Sequence, residues 1–437
     1  MPDHAHSSDS AVQAQLDRLA ALSPGRDILG LERIAELCRR LGNPQHRLPR
    51  TFHVAGTNGK GSTCTFLRAI LEADGRRVHS YTSPHLVRFN ERIRLAGTLI
   101  DDAHLAALLA EVLDVAHDLH ASFFEITTAA AFLAFSRIPA DDCIVEVGLG
   151  GRLDATNIIP APAVCGIASL GIDHEAFLLA PEAGTPAGAA ERIAWEKAGI
   201  IKPGAALATL AYAPPVMDVI AGRAAAAGVT PFSEGEGWSV EPAEAGFRWH
   251  SKRRSPPMSL QPRMAGEHQM RNAGLAIAML QLADPCPAPD AIARGVANAF
   301  WPARLQKLAP GPLTELLPAN TEIWLDGAHN ADAGKHIAIH FEREPRRIHL
   351  VTGMLANKHP DALLAPLKYR LSSVTVVPVP GHEHHAAAAF GPAARSAASI
   401  EEALVGLPID PDKDIVLIAG SLYLAGTVLN ANGEPPV

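Results

Sequence analysis

Cysteine is scarce in this chain, and the few present do not cluster. Cys38, Cys64, Cys143, Cys165 and Cys286 are the only five in 437 residues, and no two form a CxxC pair. That argues against a disulfide framework or a cysteine-built metal module and fits reduced thiols in a cytosolic protein. An excess of basic charge is also missing: 38 Lys and Arg stand against 46 Asp and Glu, a net charge of -8. A general nucleic-acid binder would carry a basic face, so no nucleic-acid partner is expected, although small anionic ligands need only local positive charge. Long apolar runs are absent. The longest, Ile415 to Leu429, is interrupted by glycines and too short for a membrane span, so a buried strand followed by a helix is expected there. Met1 to Ser10 is polar, with no apolar signal core. A cytoplasmic protein with no membrane contact follows as the expectation. Nothing suggests an obligate oligomer, and a monomer is expected.

What the chain does have is a glycine-rich turn in an informative setting. Phe52-His53-Val54-Ala55 reads as an apolar strand, Gly56-Thr57-Asn58-Gly59-Lys60-Gly61-Ser62-Thr63 as a loop, and Phe66, Leu67, Ile70 and Leu71 as one face of a helix. Glycines let the backbone curl so that several N–H groups point inward, and a helix N-terminus adds partial positive charge. A lysine can reach the outer phosphates of a nucleotide, and a hydroxyl can ligate the accompanying magnesium. Gly61 stands between lysine and hydroxyl, a departure from the common nucleotide loop. The plain alternative is a strand-to-helix turn with a solvated lysine.

Composition, 48% hydrophobic over 437 residues, suits two or three globular domains. Strand and helix patterns alternate, which predicts a mainly parallel sheet covered on both faces. Helical pattern fills Ala11 to Leu41. Strands are expected at Thr51 to Ala55, Arg77 to Tyr81, Cys143 to Val147 and Ala163 to Leu170, and helices at Asp102 to His120, at Glu125 to Ser136 and ending near Gly199. A strand near Ala206 to Leu210 precedes proline- and glycine-rich connections, to about Gln261, that resist placement. A boundary is expected at Trp301-Pro302-Ala303-Arg304. Beyond it come strands Glu322 to Leu325, Arg347 to Thr352, Ser373 to Pro378 and Asp414 to Ala419, a helix Ala331 to Phe341, and a final helix. The alanine-rich stretches suit helices.

Ligands of open parallel sheets gather at the carboxyl ends of the strands, and here those ends carry unusual polar residues. Ser83 follows Tyr81-Thr82. Glu146 lies inside the apolar Ile144-Val145-Glu146-Val147, and Asp173-His174 follows a strand. A carboxylate in an apolar strand is costly unless paired or bound to a metal, so Glu146 either bridges to Arg152 or serves a metal. His174 by itself reads as a loop histidine, since magnesium prefers oxygen. Gly148-Leu149-Gly150-Gly151 is explained by a tight turn. Lys197, at a helix end, reads as a cation favouring the helix C-terminus. His382, His384 and His385 read as solvated loop histidines rather than a metal site.

Taken together and in order, several segments resemble the Mur-ligase superfamily of ATP-dependent amide ligases, and within it the folate branch: folylpolyglutamate synthase and the bifunctional dihydrofolate synthase. They are Val54 to Ser62, Ser83-Pro84-His85-Leu86-Val87-Arg88-Phe89-Asn90-Glu91-Arg92, Phe123-Phe124-Glu125, Glu146 to Asn157, Asp173-His174, Glu196-Lys197-Ala198-Gly199-Ile200, Pro302 to Leu305, Asp326-Gly327-Ala328-His329-Asn330 and Gly420-Ser421-Leu422-Tyr423. The resemblance covers nearly the whole chain, and it accounts for Gly61. Three departures stand out: Leu178-Leu179 where Leu-Gly is usual, Ala303 where glycine is usual, and Ser122 where threonine is common.

The resemblance implies an α/β protein with an N-terminal P-loop ATPase-like domain (1–303), mainly parallel and carrying the pterin site, and a smaller Rossmann-like C-terminal glutamate-ligase domain (304–437). It implies ATP on Thr57, Asn58, Gly59, Lys60, Gly61 and Ser62, with Asn272 on the adenine side, Arg304 reaching the phosphates, Asp326 at the ribose and His329 near the nucleotide. Ser62, Ser83, Glu146, His174 and Lys197 match magnesium ligands, two sites being expected, with Lys197 carried as a carbamate. Asp27, Ile28, Leu29, Ser122, Phe123, Phe124, Glu125, Arg152, Leu153 and Asp154 match pterin-binding segments. Lys60, Lys197, His174 and Arg304 are the expected catalytic set. The implied reaction activates a carboxylate of dihydropteroate or a reduced folate as an acyl phosphate and joins it to L-glutamate, with domain closure gating the site. A ligase confined to folate polyglutamylation, a Mur-type ligase acting on another carboxylate, and a nucleotide switch that makes no amide are the alternatives.

Overall fold

The computed structural model describes residues 5–22 and 29–436, the side chain of residue 255 excepted. The chain forms two compact units. The first runs to Pro84 and includes Arg88–Arg263 and Gln269–Ala299; the second comprises His85–Val87, Met264–His268 and Phe300 onward.

The first unit is organised on strand β1 (Arg50–Ala55), in which Phe52 to Ala55 are completely buried. Burial on both faces is what a central parallel strand requires, which is why this segment is a continuous apolar run rather than an alternating one. Around it lie β2 (Val78–Tyr81), β3 (Ile93–Leu95), β4 (Thr98–Leu99), β5 (Asp142–Glu146), β6 (Val164–Ile167), β7 (Ala206–Thr209) and β8 (Pro231–Ser233). Their order is β4-β3-β2-β5-β1-β6-β7-β8. All pairings from β2 to β8 are parallel, and only the β2–β3 and β3–β4 pairs are antiparallel. A separate antiparallel sheet holds β9 (Trp238–Pro242), β10 (Phe247–Ser251) and β11 (Arg254–Leu260). The helices are α1 (Ser10–Leu22), α2 (Glu32–Arg40), α3 (Lys60–Ala73), α4 (Asp102–Ala116), α5 (Phe123–Arg137), α6 (Glu175–Leu178), α7 (Ala189–Lys197), α8 (Pro214–Ala226), α9 (Glu267–Leu282) and α10 (Pro289–Asn298). Helix α10 comes so close to α3 that a Cβ at Gly295 would lie 2.4 Å from Ile70 Cα.

The second unit carries β12 (Gln306–Lys307), β13 (Ile323–Leu325), β14 (Arg347–Thr352), β15 (Leu371–Val376), β16 (Arg395–Ser396) and β17 (Asp414–Ala419), ordered β12-β13-β17-β14-β15-β16. Only β12 runs antiparallel to its neighbour. Helices α11 (Ala331–His340), α12 (Asp361–Leu367), α13 (Ile400–Val405) and α14 (Leu422–Ala431) accompany them. Ile415 to Leu429 is indeed a buried strand followed by a helix. Among the described residues no helix is long and apolar enough to cross a membrane, and all five cysteines are free.

The departures from expectation have local causes. Of the helical pattern of Ala11 to Leu41, the described residues form α1 and α2, with 29–31 outside any helix, and 23–28 lie outside the described residues. Helix α4 stops at Ala116, with His120 at φ 49, a left-handed value that ends helical geometry. The stretch to Gln261 holds α8 and four strands, β8 to β11, and its prolines mislead: Pro256 and Pro257 lie in β11, at the edge of its sheet, where a missing N–H is tolerated.

One buried charge ties β1, β5 and the start of β2 together. The Asp142 carboxylate, with no exposure, takes Arg50 Nε at 2.6 Å and Arg76 Nη1 at 3.4 Å. Removing it strands a part-buried guanidinium. Asp142→Ala is expected to lower unfolding free energy by about 3 kcal/mol, read as a fall in the urea midpoint at unchanged slope.

Candidate active site

Because β2, β5, β1 and β6 are parallel and in register, with Tyr81 opposite Val145, Val54 opposite Glu146 and Ala55 opposite Ile167, their carboxyl ends form one edge. The loop after β1 is fitted against that edge. A Cβ at Gly56 would lie 2.9 Å from Ala168 Cβ. The Thr57 and Asn58 amides donate to Ser169 O at 2.7 and 3.2 Å, and Thr57 Oγ1 donates to Gly171 O at 2.8 Å. Several N–H groups of this loop are expected to point inward, and those of Thr57 and Asn58 are not among them. Thr57 and Asn58 anchor the loop to the end of β6, and the N-terminus of α3 supplies the remaining positive potential. Gly59 begins that helix at φ 80 with no side-chain cap, leaving helix-end N–H groups for a ligand. Asn272, buried in α9, rests on this turn, since a Cβ at Gly59 would lie 2.4 Å from its Oδ1. Asn272 Nδ2 donates to Gln269 Oε1 at 3.1 Å. Gly61 and Ser62 occupy the first turn of α3, both buried.

Two lysines meet at one carbonyl. Lys60 Nζ donates to Gly56 O at 3.1 Å and Thr57 O at 3.4 Å. Lys197, the last residue of α7 and only 4% exposed, donates to the same Gly56 O at 3.0 Å. Burial, and then the nearby Lys60 charge, lower the Lys197 pKa to about 7. The residue is thus no solvated cation helping its own helix end. Its approach depends on glycines: a Cβ at Gly151 would lie 2.9 Å from Lys197 O, and one at Gly199 would lie 2.4 Å from Arg152 Cβ. The glycine run after β5 is a close-packing device as well as a turn.

Glu146 closes β5, buried, and its Oε2 accepts the Ser83 N–H at 3.3 Å. Arg152, the ion-pair partner considered for Glu146, gives its Nε to Glu196 at 3.1 Å and its Nη2 to Glu196 and Glu182 at 3.0 and 2.6 Å. His174 is exposed and held at φ 54, with its amide on its neighbour's Asp173 Oδ1 at 2.8 Å. Among the described residues no group of three or more His, Cys, Asp or Glu side chains is arranged to hold a metal; the set matched by resemblance has only two such residues, Glu146 and His174, beside two serines and a lysine.

Of the segments matched to a pterin site, the start of α5 and the loop after β5 meet where Phe124 covers Gly148. Asp27 and Ile28 lie outside the described residues, and Leu29 precedes α2. Ser122 and Glu125 form a capping box: Ser122 N–H donates to Glu125 Oε2 at 2.7 Å and Glu125 N–H to Ser122 Oγ at 3.2 Å. This box starts α5 at Phe123, earlier than expected. Arg33 Nε adds a bond to Oε2 at 3.1 Å, whereas buried Oε1 has no hydrogen-bond partner. The Phe123 ring meets Phe89 edge-on at 5.8 Å, and Phe124 stacks on Tyr81 at 5.9 Å. Phe124 also covers Gly148, where a Cβ would lie 2.4 Å from Phe124 Cζ. Leu153 and Asp154 continue the loop after Arg152. Buried Asp154 takes the Leu149 N–H at 2.8 Å on Oδ2 and the Thr156 N–H at 3.0 Å on Oδ1, and burial raises its pKa.

In the second unit Asp326 is buried, accepting the Leu305 and Ala328 amides, each at 2.8 Å. Burial raises its pKa against the pull of the nearby Arg304 charge. Arg304 Nη1 donates to Ala303 O at 2.9 Å, and His329 Nδ1 lies 3.1 Å from Gly327 O. The loop histidines are held by backbone: His382 Nδ1 at 2.8 Å from Pro380 O, His384 Nδ1 at 3.0 Å from His382 O, and His385 Nε2 at 2.6 Å from Lys358 O. His382 also stacks on Tyr423 at 3.9 Å.

The three sequence departures are legible locally. Ala303 sits at φ 55, a left-handed value that explains a glycine preference there. Leu179 has φ -104, so no glycine is required, and Leu178 is buried beneath Gly150. Ser122 keeps the capping hydroxyl. Reading the sequence for polar residues in apolar strands singles out Glu146 but passes over His53, which carries the same signal in β1.

Gly59→Ala is expected to lose stability beyond the roughly 1–2 kcal/mol of a left-handed residue, because Asn272 must also move. Gly75→Ala isolates the backbone cost, since Gly75 has φ 81 and a methyl group there would meet nothing within 4 Å. Equal losses in denaturant titrations would show that Asn272 yields freely.

No protein-family model matches the chain. It is 34% identical over 416 residues to folylpolyglutamate synthase of Lacticaseibacillus casei, covering 91% of this chain and 92% of that one. It is 32% identical over 433 residues to the dihydrofolate synthase/folylpolyglutamate synthase of Bacillus subtilis, covering 91% and 94%. Among solved structures it is similar to E. coli FolC in complex with DHPP and ADP, with a TM-score of 0.85, 30% identity and coverage of 97% and 98%. A bifunctional folylpolyglutamate synthase/dihydrofolate synthase with Mn, AMPPNP and L-glutamate bound matches at a TM-score of 0.83 and 29% identity, covering 97% and 99%. The order of the motifs, the parallel sheet with its loop and lysine pair, and these likenesses over nearly the full length lead to one conclusion: the chain belongs to the folylpolyglutamate synthase/dihydrofolate synthase family.

Proposed function

We propose that this protein is an ATP-dependent ligase that adds L-glutamate to dihydropteroate and to reduced folates through an acyl phosphate. The observation that carries the reading is the convergence of Lys60 and Lys197 on Gly56 O at the uncapped start of α3. Buried positive potential of that kind, on the carboxyl edge of a parallel sheet, suits a triphosphate. The relatives' names and the ligands of the matched structures support the same nucleotide and substrates.

In the proposed reaction a substrate carboxylate oxygen attacks the γ-phosphorus and the bond to the β–γ bridging oxygen breaks, releasing ADP. The glutamate α-amine then attacks the acyl carbon, gives up a proton, and phosphate leaves. The first step brings two anions together, so charge neutralisation and alignment are the protein's main tasks. Lys60 would exchange its loop carbonyls for phosphate oxygens, with Thr57, Asn58, Gly59, Gly61, Ser62 and Asn272 shaping the nucleotide site. Arg304, Asp326 and His329 are assigned to the nucleotide as well, by resemblance. Phe124 over Gly148, the orphaned Glu125 Oε1 and the buried Asp154 carboxylate suit a flat heterocycle bearing N–H donors. Leu29, Ser122, Phe123, Arg152 and Leu153, with Asp27 and Ile28, complete the assignment.

The residues fit a divalent metal if Lys197 is carboxylated. An ammonium cannot ligate, but an amine with a pKa near 7 is substantially neutral and can add to carbon dioxide, losing a proton to give an anionic carbamate. Ser62, Ser83, Glu146, His174 and that carbamate would hold the metal, two sites being proposed; bound there, it would neutralise phosphate charge. The two-domain assignment, with ATP and pterin residues in 1–303 and a glutamate-ligase domain in 304–437, and the monomeric, cytoplasmic state belong to the same proposal.

Phosphate release from ATP with L-glutamate is expected to require dihydropteroate or tetrahydrofolate. Stimulation only by a UDP-muramyl peptide, or by neither pteridine, would sink the reading. Lys197→Ala is expected to lose about 10³-fold in turnover and to regain part of it with short-chain carboxylic acids that replace the carbamate oxygens. Full activity of that variant would remove the carbamate.

A further inference from the structure

His53 lies in the central strand β1, between Phe52 and Val54, with no solvent exposure. Nothing in such a strand calls for an imidazole, and burying one is costly: Nδ1 has no hydrogen-bond partner. Its other nitrogen is used. Nε2 lies 2.8 Å from Thr156 Oγ1, and that hydroxyl makes a short hydrogen bond to Asp154 Oδ1. The hydroxyl has one proton and the carboxylate accepts, so Thr156 donates to Asp154 and accepts from His53, which fixes the Nε2–H tautomer. Burial and the Lys202 charge keep the ring neutral, with its pKa lowered to about 3. With the Leu149 and Thr156 amides, Asp154 then has three donors at set directions, and the Thr156 hydroxyl has no freedom to rotate.

We propose that His53 and Thr156 are positioning residues that aim the Asp154 carboxylate at the pteridine ring of the substrate. A carboxylate recognises adjacent N–H donors of a flat heterocycle only if its plane is held, and preorganisation of this kind raises affinity without adding a contact. The inference rests on the proposed assignment of Asp154 to the pteridine. Neither His53 nor Thr156 is expected to touch substrate.

Steady-state kinetics on the full chain test it, with KM measured separately for dihydropteroate, ATP and L-glutamate. Thr156→Val is expected to raise the dihydropteroate KM about tenfold, the size of effect for a hydrogen bond to a charged group. The other two KM values and kcat are expected to stay within about twofold, and Thr156→Ser to restore most of the loss by returning the hydroxyl. His53→Leu is expected to raise the same KM and to add little on top of Thr156→Val, because both break one chain. A uniform rise in all three KM values, no rise in a folded Thr156→Val protein, or no restoration by serine would overturn the proposal. Should Thr156→Val fail to fold, His53→Leu against His53→Gln decides: the glutamine amide keeps an N–H donor, and equal KM values for the two would count against the chain. Asp154→Asn separates the two levels. If it leaves the dihydropteroate KM unchanged, the pteridine assignment itself falls. If it raises that KM while Thr156→Val does not, the positioning role alone falls.

Discussion

Two ammonium groups sharing one backbone carbonyl set the terms for the first unit. Gly56 O accepts from Lys60, on the first turn of α3, and from Lys197, at the end of α7. Burial first, and then the charge of part-buried Lys60 beside it, lowers the pKa of Lys197, whose amine loses its hold on the proton. A loop, two helix ends and a strand edge therefore meet around one carbonyl.

Reaching that state depends on backbones coming closer than side chains ordinarily allow. Gly56 lies against Ala168, Gly59 against Asn272, Gly148 under Phe124, and Gly151 and Gly199 between Arg152 and the end of α7. Each of these contacts would be under 3 Å with a methyl group present. The glycines after β5 thus connect two places: they let Lys197 reach the loop after β1 and, on the same segment, lead into the turn that holds Asp154. Close packing rather than flexibility is their common purpose.

The ends of strands are legible from sequence because burial leaves a chemical trace. Ser83 and Glu146 stand out as polar groups at the ends of apolar strands, and they meet at the edge where the loop is fitted, whereas Lys197 reads from its residues as a helix-end cation and is singled out by the resemblance alone. The same logic applies to His53, yet a histidine inside an apolar run is easily read as core. Elements whose signal is spread among prolines, such as β11, or whose amphipathicity is weak, such as the buried α9, escape a reading of periodicity. The Ser122 and Glu125 pair reads from the family resemblance only as substrate contact, although its capping-box spacing also states where α5 begins.

By itself the sequence determined the fold class, the order of strands and helices around the loop, and the family, because periodicity and motif order are properties of the chain read in one dimension. Tertiary structure decided which partners the charged groups take. Arg152 goes to Glu196 and Glu182 rather than to Glu146, the Thr57 and Asn58 amides go to Ser169, and Lys197 turns from its own helix end to Gly56. Those choices depend on distances of a few ångströms between segments up to 141 residues apart, and on the desolvation that only a folded core imposes.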